Sequence, residues 1–171
     1  EVTMDEVCQQ AGVGKGTIYR YFKDKDDLFQ RMFSSGSEEL GEIVEFEKDS
    51  QAPFAAQLER VILGMRRVMR RRRSLFHLMH QEETRKIAFH EDARARWKAQ
   101  QKALMDTVSA FLRRGMESNA LRTDIAPEAL AAVLMGMLRS LSWNAEAMPD
   151  DEASARLLTD LFLRGAAAPL R

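Results

Sequence analysis

A single cysteine, Cys8, in 171 residues rules out a disulfide within the chain and leaves too few thiols for a thiolate metal cage. Cys8 stands in an apolar-periodic stretch. A lone thiol there packs as a small hydrophobe more readily than it serves as a redox sensor. Four prolines and nine glycines exclude a low-complexity or collagen-like chain. No apolar run approaches the roughly 18 residues of a membrane span. No signal-like segment opens the sequence, and Glu1 stands where a start methionine would. The reading is a cytoplasmic chain, truncated at its amino end. Net charge is zero, from 26 basic and 26 acidic residues. That excludes a protein basic all over but not a local basic face. No alternating pattern of useful length predicts a strand.

What remains is 45 % hydrophobic and 30 % charged, ordinary for a folded, helix-rich protein. Thr3 and Glu6 form a T-x-x-E capping box that starts a helix. Gly12 suits the left-handed residue that ends it. A second short helix is expected over about 15–21. Asp24 caps a third, with Leu28, Phe29, Met32 and Phe33 as its apolar stripe. A boundary falls near 48–53. Further helices are expected at about 53–71, 74–88, 91–118, 127–146 and 150–166, with Asn119 closing the long one and Pro127 in a first turn. The fold class is all-α: a small amino-terminal unit over 1–47 and a larger helical body over 48–171.

The stretch "AGVGKGTIYRYF", residues 11–22, combines three glycines with three rings. A nucleotide loop of the form G-x-x-x-x-G-K-[ST] needs another glycine spacing and a preceding strand, so that reading fails. A plain core turn accounts for Gly12, Val13 and Phe22. It accounts poorly for Lys15, Thr17, Tyr19, Arg20 and Tyr21 crowded on the next helix. A helix-turn-helix accounts for both: Ala11 is small where the helices cross, Gly12 turns, Val13 plugs, and the second helix meets the major groove with its amino end. Gly14 and Gly16 carry no bulk, so the backbone can come close to a duplex.

With those residues in view, "TMDEVCQQAGVGKGTIYRYFKDKDDLF" resembles the DNA-binding segment of TetR-family transcriptional repressors. Thr3, Val7, Ala11, Gly12, Val13, Lys15, Gly16, Thr17, Tyr19, Tyr21, Phe22, Lys25 and Leu28 carry the resemblance, densely over about 2–33. It implies that Gly14, Lys15, Gly16, Thr17 and Tyr19 face the groove. It implies that Thr3 presents its hydroxyl and amide to phosphate, and that Tyr21 and Lys25 also contact phosphate. Family members often carry serine where this chain has Gly14, and they have a helix before residue 1. The resemblance also implies an all-helical body that dimerises and holds a small molecule.

In that body, ten methionines and several rings form a large apolar store. Met65, Met69, Phe76, Met79, Trp97, Met105, Phe111 and Met135 are candidates to line a cavity for an apolar or amphipathic inducer. Taken singly, each is better explained as an ordinary core position at helical spacing. Leu130, Val133, Leu134, Met137 and Leu141 form one apolar face, and Leu157, Leu161 and Phe162 another. Paired across two chains they would build a four-helix dimer interface, although both faces could instead cover the protomer's own core. His77 and His80 stand one turn apart but lack a supporting carboxylate or cysteine pattern, so no metal or cofactor is expected. "RRVMRRRR", residues 66–73, reads as a solvated helix end rather than a second nucleic-acid patch. No nucleophile–base pair or convergent carboxylate set marks an enzyme. The expectation is a ligand-responsive regulator, a repressor, binding pseudo-palindromic double-stranded DNA as a homodimer with no membrane partner. The alternative is a ligand-independent DNA-binding or protein-interaction module.

Overall fold

The structure is a computed structural model that describes residues 3–75, 91–143 and 150–166. Seven helices carry the fold among those residues: α1 (Met4–Ala11), α2 (Lys15–Tyr21), α3 (Lys25–Phe46), α4 (Phe54–Arg71), α5 (Glu91–Glu117), α6 (Pro127–Trp143) and α7 (Asp151–Ala166). The helix expected over 74–88 lies almost wholly outside the described residues.

The boundaries follow from local chemistry. Thr3 and Glu6 close the capping box, with the Glu6 amide donating to Thr3 Oγ1 at 3.2 Å and the Thr3 amide to Glu6 Oε2 at 2.7 Å. Gly12 adopts φ 65°, which an L side chain would resist, and the amides of Gly12 and Val13 donate to Gln9 O and Cys8 O. Asp24 accepts from the Asp27 amide at 2.8 Å to start α3. Asn119, at φ 58°, terminates α5, and Pro127 opens α6.

Two hydrophobic clusters divide the molecule. The smaller holds Met4, Cys8 and Ile18, with Val7, Phe22 and Leu28 packed against it, so α3 contributes to the head. The larger is built on α4. Leu58, Val61, Ile62, Met65 and Met69 recur at helical spacing, and the first four are wholly buried. Helix α4 packs chiefly on α7, and α5 packs on α3 and α6. At the α3–α4 crossing a Cβ on Gly64 would lie 2.7 Å from Ile43 Cγ2, so a glycine is needed for that approach.

The arginine run corrects its sequence reading. Arg66 is 2 % exposed and faces Asp151, itself 3 % exposed, at 3.6 Å; Arg70 reaches the same carboxylate at 3.0 Å. Arg67 pairs with Glu152, and Arg71 and Arg72 pair with Glu39 of α3. The run is therefore a ladder tying α4 to α7 and α3. Its carboxylates are far away in the sequence, where local reading does not find them.

Candidate nucleic-acid interface

Helix α2 is anchored by one inward residue. Ile18 is buried in the head cluster, and every other position from Lys15 to Tyr21 is exposed. Tyr19 is 51 % and Tyr21 56 % exposed. Large rings left in water on a helix that buries only one side chain have no packing role to explain them. Neither glycine beside them is required internally. Gly14 has φ −63° as the N-cap, and a Cβ there would meet only Thr17 Oγ1 at 4.0 Å. A Cβ on Gly16 would meet nothing within 4 Å. The outer face is thus slim, polar and aromatic for reasons the fold does not supply.

The turn before it differs from expectation. Val13 remains 37 % exposed and Ala11 is exposed, so neither is sealed as a plug or a buried crossing point. The turn is held instead by its backbone hydrogen bonds.

Charge is arranged in local pairs. Lys15 Nζ is held by Asp5 Oδ2, and this bond raises the Lys15 pKa, so the ammonium stays charged. Thr3, expected to offer its amide and hydroxyl to phosphate, commits both to Glu6; the hydroxyl donates to Oε2 at 3.0 Å. The amide bond, then the hydroxyl, holds the Glu6 carboxyl below the ordinary carboxylate range. Lys25 stands exposed at the first position of α3, one helix away from α2.

Arg20 was not among the expected site residues. Its guanidinium lies 5.0 Å from the Tyr21 ring centroid, and Nη2 donates to the Tyr21 hydroxyl at 3.1 Å. This orients a phenol and a cation together on the outer face. An exposed base between two tyrosines was the sequence signal for it.

The residues expected at a ligand cavity divide. Met65, Met69 and Phe111 fill the core, at 0, 5 and 3 % exposure, because the α4 and α5 stripes point there. Met105 and Met135 are half-buried against the same core. Trp97 instead stacks on Phe33 and Phe29 between α5 and α3, with centroids 4.2 and 5.9 Å apart. Phe76 and Met79 lie outside the described residues, as do His77 and His80. Among the described residues no group of three or more His, Cys, Asp or Glu is placed to hold a metal. No described helix is long and apolar enough to cross a membrane.

The expected dimer faces resolve into ridges four residues apart. On α6, Leu130, Leu134 and Leu138 point inward, at 5, 0 and 0 % exposure. Val133 is 55 % exposed, and Met137 and Leu141 are half-buried on the outer ridge. On α7, Leu158 and Phe162 are inward, while Leu157 and Leu161 are 39 and 51 % exposed. Leu130, Leu134 and Phe162 are therefore committed to the protomer's own core.

Comparison with known proteins fits this geometry. Residues 1–32 match the model for bacterial regulatory proteins of the tetR family. The chain is 28 % identical to the HTH-type transcriptional regulator NfxB of Pseudomonas aeruginosa, over 99 % of this chain and 87 % of that protein. It is 27 % identical to YhgD of Bacillus subtilis, described as an uncharacterized HTH-type transcriptional regulator, over 94 % and 83 %. Among solved structures it resembles the TetR-family regulator PfmR of Thermus thermophilus (TM-score 0.79, 21 % identity, 99 % and 90 % covered). It also resembles FadR of B. subtilis in complex with stearoyl-CoA (TM-score 0.77, 20 % identity, 96 % and 88 % covered). At these identities the solved structures speak for the fold. Residues 1–32 thus carry the tetR-family pattern on the segment that holds the exposed α2 face, and over nearly its whole length the chain is similar to helix-turn-helix transcriptional regulators.

Proposed function

We propose that the protein is a ligand-responsive repressor, not an enzyme. It acts in the cytoplasm and binds a pseudo-palindromic operator as a homodimer. The observation that carries this reading is α2: one buried residue, Ile18, and an outer face of Lys15, Thr17, Tyr19, Arg20 and Tyr21 beside two glycines with no internal duty. Tyrosines and bases of that kind position a helix on the phosphate backbone, and Thr17 and the slim backbone approach base edges. Gly14, Lys15, Gly16, Thr17 and Tyr19 face the groove; Tyr21, Lys25 and, after release from Glu6, Thr3 contact phosphate.

The homodimer uses the outer ridges of α6 and α7. Val133, Met137, Leu141, Leu157 and Leu161 supply the contacts, and a two-fold axis sets two reading helices about one DNA turn apart. The inducer is an apolar or amphipathic small molecule entering the methionine-rich body. The stearoyl-CoA held by the FadR relative makes long-chain acyl compounds the first class to try. The inducer acts by binding better to a dimer whose heads are wrongly spaced for adjacent grooves.

The test is selection from a random duplex library by the full-length chain, followed by anisotropy titration and mass measurement of the complex. The expected result is salt-dependent, sequence-preferring binding by two protomers, weakened by stearoyl-CoA. Sequence-blind binding, or a single protomer per duplex, contradicts the regulator reading. A selected duplex that stearoyl-CoA leaves in place contradicts only the choice of acyl ligand.

A further inference from the structure

Helix α3 serves the head and the body at once. Leu28 packs into the head cluster, yet one residue later Phe29 turns to the body. Phe29 and Phe33 stand one turn apart on one face. Both lie nearly parallel to the Trp97 indole of α5, with interplanar angles of 6° and 7°. Phe33 is 2 % exposed. Beside the stack, Arg96 Nε donates to Gln30 Oε1 at 2.9 Å. Farther from the head, Arg72 Nε donates to Glu39 Oε2 at 2.9 Å, and Ile43 packs on the bare backbone of Gly64.

α3 is thus fastened to the body at three heights. The two farther fastenings lie near Glu39 and Ile43, while the aromatic stack lies within about one turn of the head. A rod held only at its far end can swing at its near end. From Ile43 to Lys25 the helix runs about 27 Å, and a tilt of about 7° over that length moves the head by about 3.4 Å, one base-pair rise. We propose that Trp97 is a positioning residue for DNA binding: its stack on Phe33 and Phe29 fixes the tilt of α3, and so the spacing of the half-sites the dimer accepts. It touches no DNA and leaves recognition within one half-site to α2. This inference rests on the dimeric reading proposed above.

The experiment compares duplexes selected by the wild-type chain with versions carrying one base pair more or fewer between the half-sites. The wild type is expected to discriminate by about tenfold or more, on the scale of a mismatched base pair. Trp97→Ala is expected to reduce this ratio to about twofold, and Trp97→Phe to restore most of it. Affinity for an isolated half-site stays at the wild-type value in both. General destabilisation would lower all affinities together and leave the ratio intact, so the ratio separates positioning from folding. Should Trp97→Ala melt below the assay temperature, Phe29→Ala removes only the outer ring and is expected to relax the ratio in part. An unchanged ratio in Trp97→Ala, or in Phe29→Ala where that variant is used, overturns the inference alone. Failure of the wild type to select any duplex overturns the regulator reading, and this inference with it.

Discussion

Gly16→Ala separates the needs of the fold from the needs of DNA binding at one atom. Gly16 is an exposed helical residue, and an added Cβ meets nothing within 4 Å. For the isolated protein alanine is the better residue, because glycine in a helix costs about 0.5–1 kcal/mol relative to alanine. The position lies in the first turn of α2, so the lower figure applies. In a chain of this size that raises Tm by about 1–2 °C. On DNA the balance reverses. The new methyl stands on the face proposed to meet the groove and holds the backbone off. The neighbouring contacts of Lys15, Thr17 and Tyr19 then lengthen, and a charged hydrogen bond is worth about 1.5–3 kcal/mol. Loss of one such contact weakens binding by about 10- to 100-fold. Thermal unfolding by circular dichroism and anisotropy titration on one preparation read both quantities. A variant more stable than wild type with unimpaired DNA binding would refute the close approach. A variant that is less stable would refute the open environment assigned to Gly16.

Lys15→Ala is expected to leave Tm unchanged, because the side chain is exposed and pairs with a surface carboxylate, and to lower the slope of log affinity against log salt by about one as a cation is withdrawn from the groove face; an unchanged slope removes the Lys15 charge from the interface. Asp151→Ala leaves Arg66 buried without its carboxylate and is expected to cost about 3–5 kcal/mol, a fall in Tm of roughly 6–20 °C; a loss within error would place Arg66 in water. Glu47, buried at the end of α3, accepts from Arg60 Nε and Nη2 at 2.7 and 2.6 Å, and these bonds hold its carboxyl below the ordinary range. Its stabilisation is therefore complete above the ordinary carboxylate value and is lost as pH falls through the lowered one. Glu47→Gln should flatten the acid limb of Tm against pH, and an unchanged limb would exclude that carboxylate. Leu161→Glu on the outer α7 ridge is expected to give monomers by light scattering with the helical signal kept; a surviving dimer would move the interface elsewhere.

The helices were legible wherever a local rule decided them. Thr3 with Glu6, Gly12, Asp24, Asn119 and Pro127 each mark an end through their own backbone chemistry, and the ends fall where those residues stand. The exposed face of α2 was legible because Lys15, Tyr19 and Tyr21 are costly to place anywhere but at a surface with a use. What depended on distant partners was not legible. Nothing near Arg66 in the sequence announces Asp151, so a buried ion pair read as a solvated helix end. Leu130 and Val133 are both apolar, and only packing against α4, α5 and α7 decides that the first turns inward and the second outward. Trp97 likewise shows its apolar character in the sequence, but its neighbours Phe29 and Phe33 sit on a helix some sixty residues earlier.

The proposed dimer sets two copies of α2 in successive major grooves of one duplex. Footprinting of a selected duplex bound by the full-length chain tests it most directly, with hydroxyl radicals for the backbone and methylation of guanine N7 for the major groove. Two symmetric patches of N7 protection are expected, centred about 10 base pairs apart or a multiple of that. One patch, or backbone protection with every N7 left open, would contradict it.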